Sequence, residues 1–449
     1  MPVSDRSSWT HTAGPAPQTP PLAGDAMADV VVIGGGFTGL TAAIRLAEAG
    51  ADVAVLEAGD IAEGASGRNA GFLVPNLAKA DPATLMENFD QQRGGQLAKS
   101  VAEAGDTIAE FSQRHDIECE LKQSGWIQPV HAEVARDATY RRFEDYKAMG
   151  RPVAWLDAGA IKEATGCGHY VGGWIDRSGG TLHPVKFAYG LARAAQRLGA
   201  HIHSQTSATA IENDGSNWHV KTASGSLSTR QVLMCTNAMG GGLRADLTSS
   251  ILPLTIHQLA TEPLDAGMRS KLLADGQAMS DTANDLFTYR LDGEGRLITG
   301  GMAVWPFGDA SGLGRRMIRR ATKFLALDKT PRIETFWSGQ AAVTTDFMPR
   351  LHRLADGLFA GFGCNARGIA MTHILAGALA DLTAGRSEEQ LPLPVTPVRP
   401  VPMAKLAGLA PHMWLAHGRL KDTFNRITAG SPANSRSNQT ENHQGRKPC

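Results

Sequence analysis

The chain has 449 residues, of which 42% are hydrophobic and 20% charged, and its formal net charge is zero. This length is too great for one compact core and suits two interleaved domains of soluble, globular character. The charge balance gives no electrostatic attraction to nucleic acid, no apolar run is long enough to span a bilayer, and the five cysteines form no CxxC pair that would indicate a metal site. The first residues lack a secretory signal. We therefore expect no nucleic-acid partner, no integral membrane segment, no metal and a cytoplasmic location.

The amino-terminal third begins with a segment of low complexity. Residues 1–27 are rich in Pro, Ser and Thr, which predicts an extended arm that is ordered only if it docks on the rest of the chain. A βαβ unit starts at Ala28. Residues 80–165 then carry apolar side chains at helical intervals, which predicts a mainly helical region.

Strand patterns dominate the remainder of the chain, first within 200–238 and then over 251–343. Residues 358–385 predict a strand, a glycine turn and a long helix. Residues 391–428 contain a Pro-rich arm and a further helix, which we expect to pack on the first domain. The polar residues 429–449 cannot bury a core and are predicted to be disordered.

The βαβ unit contains a dinucleotide-binding pattern, "DVVVIGGGFTGL". Gly34 permits the sharp turn, Gly36 removes a side chain that would block a pyrophosphate, and Gly39 lets the helix approach the strand. The helix then directs free N–H groups and its positive dipole end at the phosphates. Glu57 ends the second strand, where a carboxylate accepts hydrogen bonds from ribose hydroxyls and repels a 2′-phosphate. The combined pattern predicts a bound dinucleotide and disfavours NADP.

The residues after Glu57 distinguish FAD from NAD. A nicotinamide-binding domain continues with an ordinary helix, whereas this chain has a Gly/Ser-rich loop, "GASGRNAG", at residues 64–71. Such a loop can offer several N–H groups to a pyrophosphate and a flavin. The pattern resembles the FAD-dependent D-amino-acid-oxidase (DAO) superfamily, and within it the γ-glutamylputrescine oxidoreductases. "SGGTLHPVKFAYGLARAAQRLGA", "WSGQAAVTTDFMP" and "GFGCNARGIAMTHILAGALADLTAG" extend the resemblance over residues 28–420.

The resemblance implies an α/β fold in which an FAD-binding Rossmann-like domain of the GR2 type is interleaved with a mostly antiparallel substrate-binding domain. The FAD-binding domain would comprise residues 28–95, 165–250 and 344–390. The substrate-binding domain would comprise residues 96–164 and 251–343.

The resemblance also implies which residues contact the cofactor. FAD is expected to be noncovalent, because the loop after Glu57 contains no His. The residues expected to bind FAD are Gly34, Gly36, Phe37, Thr38, Gly39, Glu57, Ala58, Ser66, Arg68, Asn69, Ala70, Gly71, Ala208, Thr236, Asn237, Gly363, Ala366, Gly368 and Ile369. Ala366 stands where the family usually has Gly, so we expect a negative φ and a shifted turn at this position.

The implied reaction is oxidation of a C–N bond, in which a hydride passes from the carbon to flavin N5 and the resulting imine is hydrolysed. Amino-acid oxidases of the superfamily place an Arg after the "WxG" of the last substrate strand to hold the α-carboxylate. Here Gln340, Ala341 and Ala342 occupy that stretch. The substrate is therefore expected to be a primary or secondary amine, such as a polyamine conjugate. His257, Gln258 and Tyr289 lie on the strands expected to face the flavin and are the candidate catalytic residues.

Two alternatives to an oxidase remain at the level of sequence. One is a dehydrogenase of the same fold that passes electrons to a quinone or a carrier instead of oxygen. The other is a flavin-binding partner protein without turnover, which the missing Arg and the Ala366 departure both allow.

Overall fold

A computed structural model describes residues 3–240, 242–303, 310–403 and 410–430. Of the predicted tail, residues 429 and 430 end the last helix, and residues 431–449 lie outside the described residues. The strands, in chain order, are β1 Ala26–Ile33, β2 Val53–Leu56, β3 Phe72–Leu73, β4 Trp126–Pro129, β5 Val153–Leu156, β6 Gly173–Asp176, β7 Gly180–Thr181, β8 His201–His203, β9 Ala210–Asn213, β10 Trp218–Lys221, β11 Ser226–Met234, β12 Leu252–Pro263, β13 Ala278–Ser280, β14 Thr288–Leu291, β15 Arg296–Gly301, β16 Ile333–Val343, β17 Arg350–Ala355 and β18 Leu358–Phe362.

Twelve α-helices lie within the described ranges. They are α1 Phe37–Glu48, α2 Pro82–Asn88, α3 Gln91–Ala102, α4 Ala104–Arg114, α5 Arg136–Ala148, α6 Ala158–Thr165, α7 Pro184–Arg197, α8 Ala245–Ser249, α9 Ala266–Arg269, α10 Ala310–Phe324, α11 Gly368–Thr383 and α12 Ala410–Gly430. No helix in this part of the chain is long and apolar enough to cross a membrane.

The first sheet is the dinucleotide-binding sheet. Its order is β17-β18-β11-β1-β2-β8, in which β18, β11, β1, β2 and β8 run parallel, and β9 and β10 extend β11 as an antiparallel meander. Val30 and Val32 of β1 join the core cluster that contains α1, α7 and α11, whereas Val31 and Ile33 join the cluster on the opposite face. The apolar run in β1 thus exists because both faces of this parallel sheet are buried.

The second sheet also has eight strands, in the order β16-β12-β15-β14-β13-β4-β6-β5, and only β13 and β4 pair in parallel. Helix α10 packs on it through Leu313, Met317 and Ile318. The α/β architecture with a parallel dinucleotide-binding sheet and a mostly antiparallel second sheet confirms the predicted fold class.

The sheets and the predicted domain boundaries differ at two places. Strand β6 pairs in the second sheet although it falls within residues 165–250, which we assigned to the first domain. Leu97 and Ile108, of α3 and α4, fall in the predicted substrate-binding segment but join the core cluster of the first sheet. Both departures occur where the chain passes between layers, and helical or alternating patterns do not reveal which layer an element covers.

The amino-terminal arm is docked along much of its length. Trp9 is only 1% exposed and belongs to the core cluster of the first sheet. The Ser4 amide donates to the Phe336 carbonyl at 2.6 Å, and the Leu22 amide donates to Thr206 Oγ1 at 3.0 Å. The arm therefore contacts β16 of the second sheet near its beginning and the first domain near its end.

We expected the last helix to pack on the first domain. The structure shows that it also contacts the second domain. Asp422 accepts from Asn284 Nδ2 at 2.7 Å and from the Asp285 amide at 2.9 Å. Arg419 donates to Asp285 at 2.8 Å. These polar contacts fix α12 to the loop between β13 and β14.

Candidate active site

The turn between β1 and α1 is shaped for close backbone approach. Gly34 has φ +111°, and a Cβ at this position would lie 2.6 Å from the Cys235 carbonyl oxygen. A Cβ on Gly39 would lie 2.0 Å from the Gly34 carbonyl oxygen, so the helix can start this close to the strand only with glycine there. The turn thereby leaves the amino-terminal end of α1 open to a negatively charged group.

Glu57 lies next to this turn. Its Oε2 accepts from the Gly35 amide at 2.7 Å, and its Oε1 accepts from the Gly59 amide at 3.0 Å. These bonds hold the carboxylate at the end of β2, and each oxygen retains a lone pair for a ribose hydroxyl. The arrangement fits the role predicted for Glu57.

The loop at residues 64–71 is held by its own side chains. Ser66 Oγ accepts from the Phe37 amide at 3.0 Å, which joins the loop to the start of α1. Asn69 donates to the Ser66 carbonyl at 2.8 Å and accepts from the Gly71 amide at 2.9 Å. Asn69 therefore fixes the shape of the loop.

Arg68 connects three parts of the chain. Its guanidinium donates to the carbonyls of Glu63, Ser338 and Asp5, at 2.6, 3.2 and 2.5 Å, and its own carbonyl accepts from Trp337 Nε1 at 2.9 Å. Loop, arm and second sheet thus meet at this residue.

The turn between β18 and α11 differs from the prediction. Ala366 has φ +60°, so the expected negative φ is wrong. The left-handed conformation costs an L-residue about 1 kcal/mol, which the surrounding contacts offset. Asn365 provides them, since it donates to the Gly363 carbonyl at 2.7 Å and accepts from the Thr344 amide at 2.9 Å.

These segments surround one cavity of about 1470 Å³, whose walls come from both sheets. This volume exceeds that of a pocket for a single drug-sized molecule and has room for a dinucleotide and a substrate. The predicted cofactor residues that line it are Gly34, Gly36, Phe37, Thr38, Glu57, Ala58, Ser66, Arg68, Asn69, Ala70, Ala208, Thr236, Asn237, Gly363, Ala366, Gly368 and Ile369. Gly39 and Gly71 lie behind the lining, where they allow the backbone to pack.

The candidate catalytic residues divide between the two faces of the second sheet. Gln258 lines the cavity, and its Oε1 is buried without a hydrogen-bond partner. His257 is the adjacent residue on β12, so its side chain points to the opposite face, where its ring stacks on Phe336. Tyr289 is fully buried among apolar residues and donates its hydroxyl to the Thr165 carbonyl, whereas its neighbour Thr288 lines the cavity. The expectation that His257 and Tyr289 face the cofactor is therefore wrong.

The cavity also contains charged residues that we did not predict. Lys79, Arg142 and Arg367 contribute three cations to its wall. Asp281 is 1% exposed, and burial raises the pKa of its carboxyl to about 6, although it accepts from the Phe287 amide at 2.9 Å. A buried acid near a turn gives no periodic pattern. Only the presence of an acidic residue in this segment could have drawn attention to Asp281.

Arg290 is only 4% exposed, although it lies close to the turn between β14 and β15. Its guanidinium donates to the carbonyls of Gly71 and Leu182 at 3.0 and 2.6 Å and lies 5.4 Å from the centroid of the Trp9 ring. Arg290 thus supports the end of the cofactor loop from behind.

A glycine turn, a ribose-binding acid and a second sheet that completes the cavity define a dinucleotide-dependent oxidoreductase of the flavin-binding class. The chain belongs to the DAO family of FAD dependent oxidoreductases, whose family model matches residues 29–382. FAD is therefore its cofactor, and the predictions of family, cofactor and enzymatic nature are confirmed.

Individual relatives agree with this assignment. The chain is 30% identical to gamma-glutamylputrescine oxidoreductase of Escherichia coli (strain K12) over 80% of its length and 84% of the relative's. It is 25% identical to glycine oxidase of Geobacillus kaustophilus over 79% of its length and 92% of the relative's. The crystal structure of the glycine oxidase from that organism superposes with a TM-score of 0.70 at 20% identity, covering 82% of this chain and 98% of the other.

Proposed function

We propose that the chain oxidises a C–N bond of a primary or secondary amine, with a substrate related to γ-glutamylputrescine. The observation that carries this proposal is the composition of the stretch of β16 that lines the cavity. Gln340 and Ala341 of β16 line the cavity at the stretch where amino-acid oxidases of the family carry an Arg. No described cation from β16 is therefore available to hold the α-carboxylate of a simple amino acid.

Gln258 is the residue that we assign to the amine. Its buried Oε1 has no partner and borders the cavity, so it can accept a hydrogen bond from the substrate N–H. This bond would hold the nitrogen and the adjacent C–H in one orientation. When bound, FAD supplies the hydride acceptor, and the seventeen predicted cofactor residues that line the cavity are those that we propose to hold it.

The reaction needs no strong base, because the lone pair of the neutral amine promotes departure of the hydride. The imine product is then hydrolysed by water. The electron acceptor is oxygen or a quinone or carrier, and stopped-flow mixing of reduced enzyme with air-saturated buffer distinguishes them by the rate of reoxidation.

Anaerobic titration with a panel of amines tests the proposal. Monoacylated diamines should bleach the flavin absorption near about 450 nm, whereas glycine and D-alanine should not. If simple α-amino acids bleach it and every acylated diamine fails, the argument from the missing Arg is wrong.

The role of Gln258 has its own matched pair of variants. Gln258→Leu should raise KM for the amine about 10-fold through loss of one hydrogen bond, with FAD still bound. His257→Leu changes the neighbouring side chain on the opposite face and should leave KM within about twofold of the wild-type value. Equal effects of the two substitutions would contradict the assignment.

A further inference from the structure

Three basic side chains converge on the cavity from separate elements. Lys79 precedes α2, Arg142 lies on α5, and Arg367 is the residue before α11. Within the described ranges, none of the three forms a salt bridge or donates a hydrogen bond from its charged group. Arg367 is the N-cap of α11, so the positive end of the helix dipole adds to the positive potential in this part of the cavity.

Their surroundings compensate the charges of these cations only in part. The Arg367 Nε is buried without a hydrogen-bond partner, and its guanidinium carbon lies 5.9 Å from the centroid of the Trp126 ring. Lys79 Nζ lies 4.8 Å from the centroid of the Trp414 ring on α12. Burial, followed by the charges of Arg142 and Arg367, lowers the pKa of Lys79. A cluster of this kind costs free energy in the absence of an anion.

One carboxylate in the cavity wall, close in sequence to Lys79, caps a helix. Asp81 is the N-cap of α2 and accepts from both the Thr84 amide and the Thr84 hydroxyl, at 2.9 and 2.6 Å. Asp145 of α5 also interacts with Arg142 but is absent from the cavity lining. The three cations outnumber Asp81, so the wall retains a net positive charge at this end.

We propose that Lys79, Arg142 and Arg367 form a subsite for a carboxylate on the amine substrate, at a position remote from the nitrogen that is oxidised. This inference rests on the proposed function and specifies its substrate class as carboxylated amines. Gln258 would hold the nitrogen, and two guanidinium groups would hold the planar carboxylate by paired hydrogen bonds.

The first test measures binding without turnover. The FAD-loaded protein is titrated with glutarate, with uncharged glutaramide and with inorganic phosphate, and the readouts are the flavin spectrum and the intrinsic tryptophan fluorescence. Glutarate should bind about 10- to 100-fold more tightly than glutaramide and more tightly than phosphate, as expected for charged hydrogen bonds. Equal binding of glutarate and glutaramide, or preferential binding of phosphate, overturns the inference.

Variants connect this selectivity to the residues. Arg142→Gln should weaken glutarate binding at least about 10-fold and leave glutaramide binding unchanged. Arg141→Gln is the matched control, because Arg141 is the exposed neighbour and does not line the cavity. Lys79→Gln provides a second variant, and the melting temperature verifies that each holoprotein folds. If the glutarate affinities of the Arg142 and Arg141 variants are equal, the subsite is not at Arg142.

The second test uses turnover. A diamine acylated with glutarate is compared with its terminal carboxamide, and Arg142→Gln should raise KM only for the carboxylate. If both compounds leave the wild-type flavin oxidised while glutarate still binds selectively, the proposed function fails and the anion subsite remains. If both bleach the flavin and Arg142→Gln affects them equally, the proposed function remains and the subsite is overturned.

Discussion

Replacement of Trp9 tests whether the docked arm supports the cofactor loop. The Trp9 ring is almost fully buried, packs edge-on against the His183 ring at 5.1 Å and lies beneath Arg290. Its Nε1 donates to the Asn69 carbonyl at 2.9 Å, and Ser7 Oγ donates to the Gly67 carbonyl at 2.7 Å. The arm thus contacts the loop at two carbonyl groups.

The expected magnitudes follow from these contacts. Trp9→Ala removes a buried aromatic side chain, which costs about 3–5 kcal/mol of unfolding free energy. Trp9→Phe retains most of the packing and removes the N–H, so it should cost about 1 kcal/mol. Without the support of Trp9, the loop at residues 64–71 must be ordered when FAD binds, and this ordering costs free energy. We therefore expect the Kd for FAD to rise about 10-fold in Trp9→Ala and by less in Trp9→Phe.

The assay combines urea unfolding of the apoprotein with titration of FAD by flavin fluorescence. Trp218→Phe is the control, because Trp218 Nε1 also donates to a main-chain carbonyl. The acceptor is the Asp356 carbonyl at 3.0 Å, and neither Trp218 nor Asp356 lines the cavity. The Trp218→Phe variant should lose about as much unfolding free energy as Trp9→Phe and should bind FAD as tightly as the wild type. The reasoning is refuted if both Trp9 variants bind FAD as tightly as Trp218→Phe does.

Three further substitutions test particular positions. Gly39→Ala places a Cβ 2.0 Å from the Gly34 carbonyl oxygen and should abolish FAD binding, whereas Gly95→Ala, where a Cβ meets open space in α3, should not lower it; a yellow Gly39→Ala protein would contradict this. The pKa of Asp281 is raised from an ordinary 3.8 to about 6, so the folded state binds its proton more tightly, and this residue should remove about 3 kcal/mol of stability as pH rises from about 3 to about 7. Urea unfolding of Asp281→Asn across that range should lack this decline, and an unchanged pH dependence would show that Asp281 is not responsible. Ala366→Gly relieves a positive φ and should change stability by less than about 1 kcal/mol in either direction, which thermal unfolding measures.

Local patterns predicted the first βαβ unit and its acid because the chemistry there depends on neighbours in sequence. The Gly34 turn and Glu57 belong to one short segment with recognisable spacing. The catalytic candidates were less predictable. A strand pattern identifies β12 but not which face borders the cofactor, and His257 and Gln258, being adjacent, cannot both point to one face.

The basic cluster escaped prediction for a different reason. Lys79, Arg142 and Arg367 come from three distant segments, and each alone has the pattern of an ordinary surface cation. Only the packing of α5 on the second sheet and of α11 on the first sheet brings them to one cavity. Arg290 is a similar case, since its position beside a turn suggests exposure to solvent, whereas its guanidinium donates to carbonyls of two other segments.

The cavity wall joins the turn after β1 to the turn before α11, which are separated by more than three hundred residues. During synthesis, the amino-terminal glycine turn leaves the ribosome long before the partner segment that contains Gly363 and Gly368 exists. Until β18 pairs with β11, the apolar strands of the first sheet are incompletely paired. They can associate with other chains during this time. We therefore expect the complete FAD-binding cavity to form only when synthesis of the chain is nearly finished.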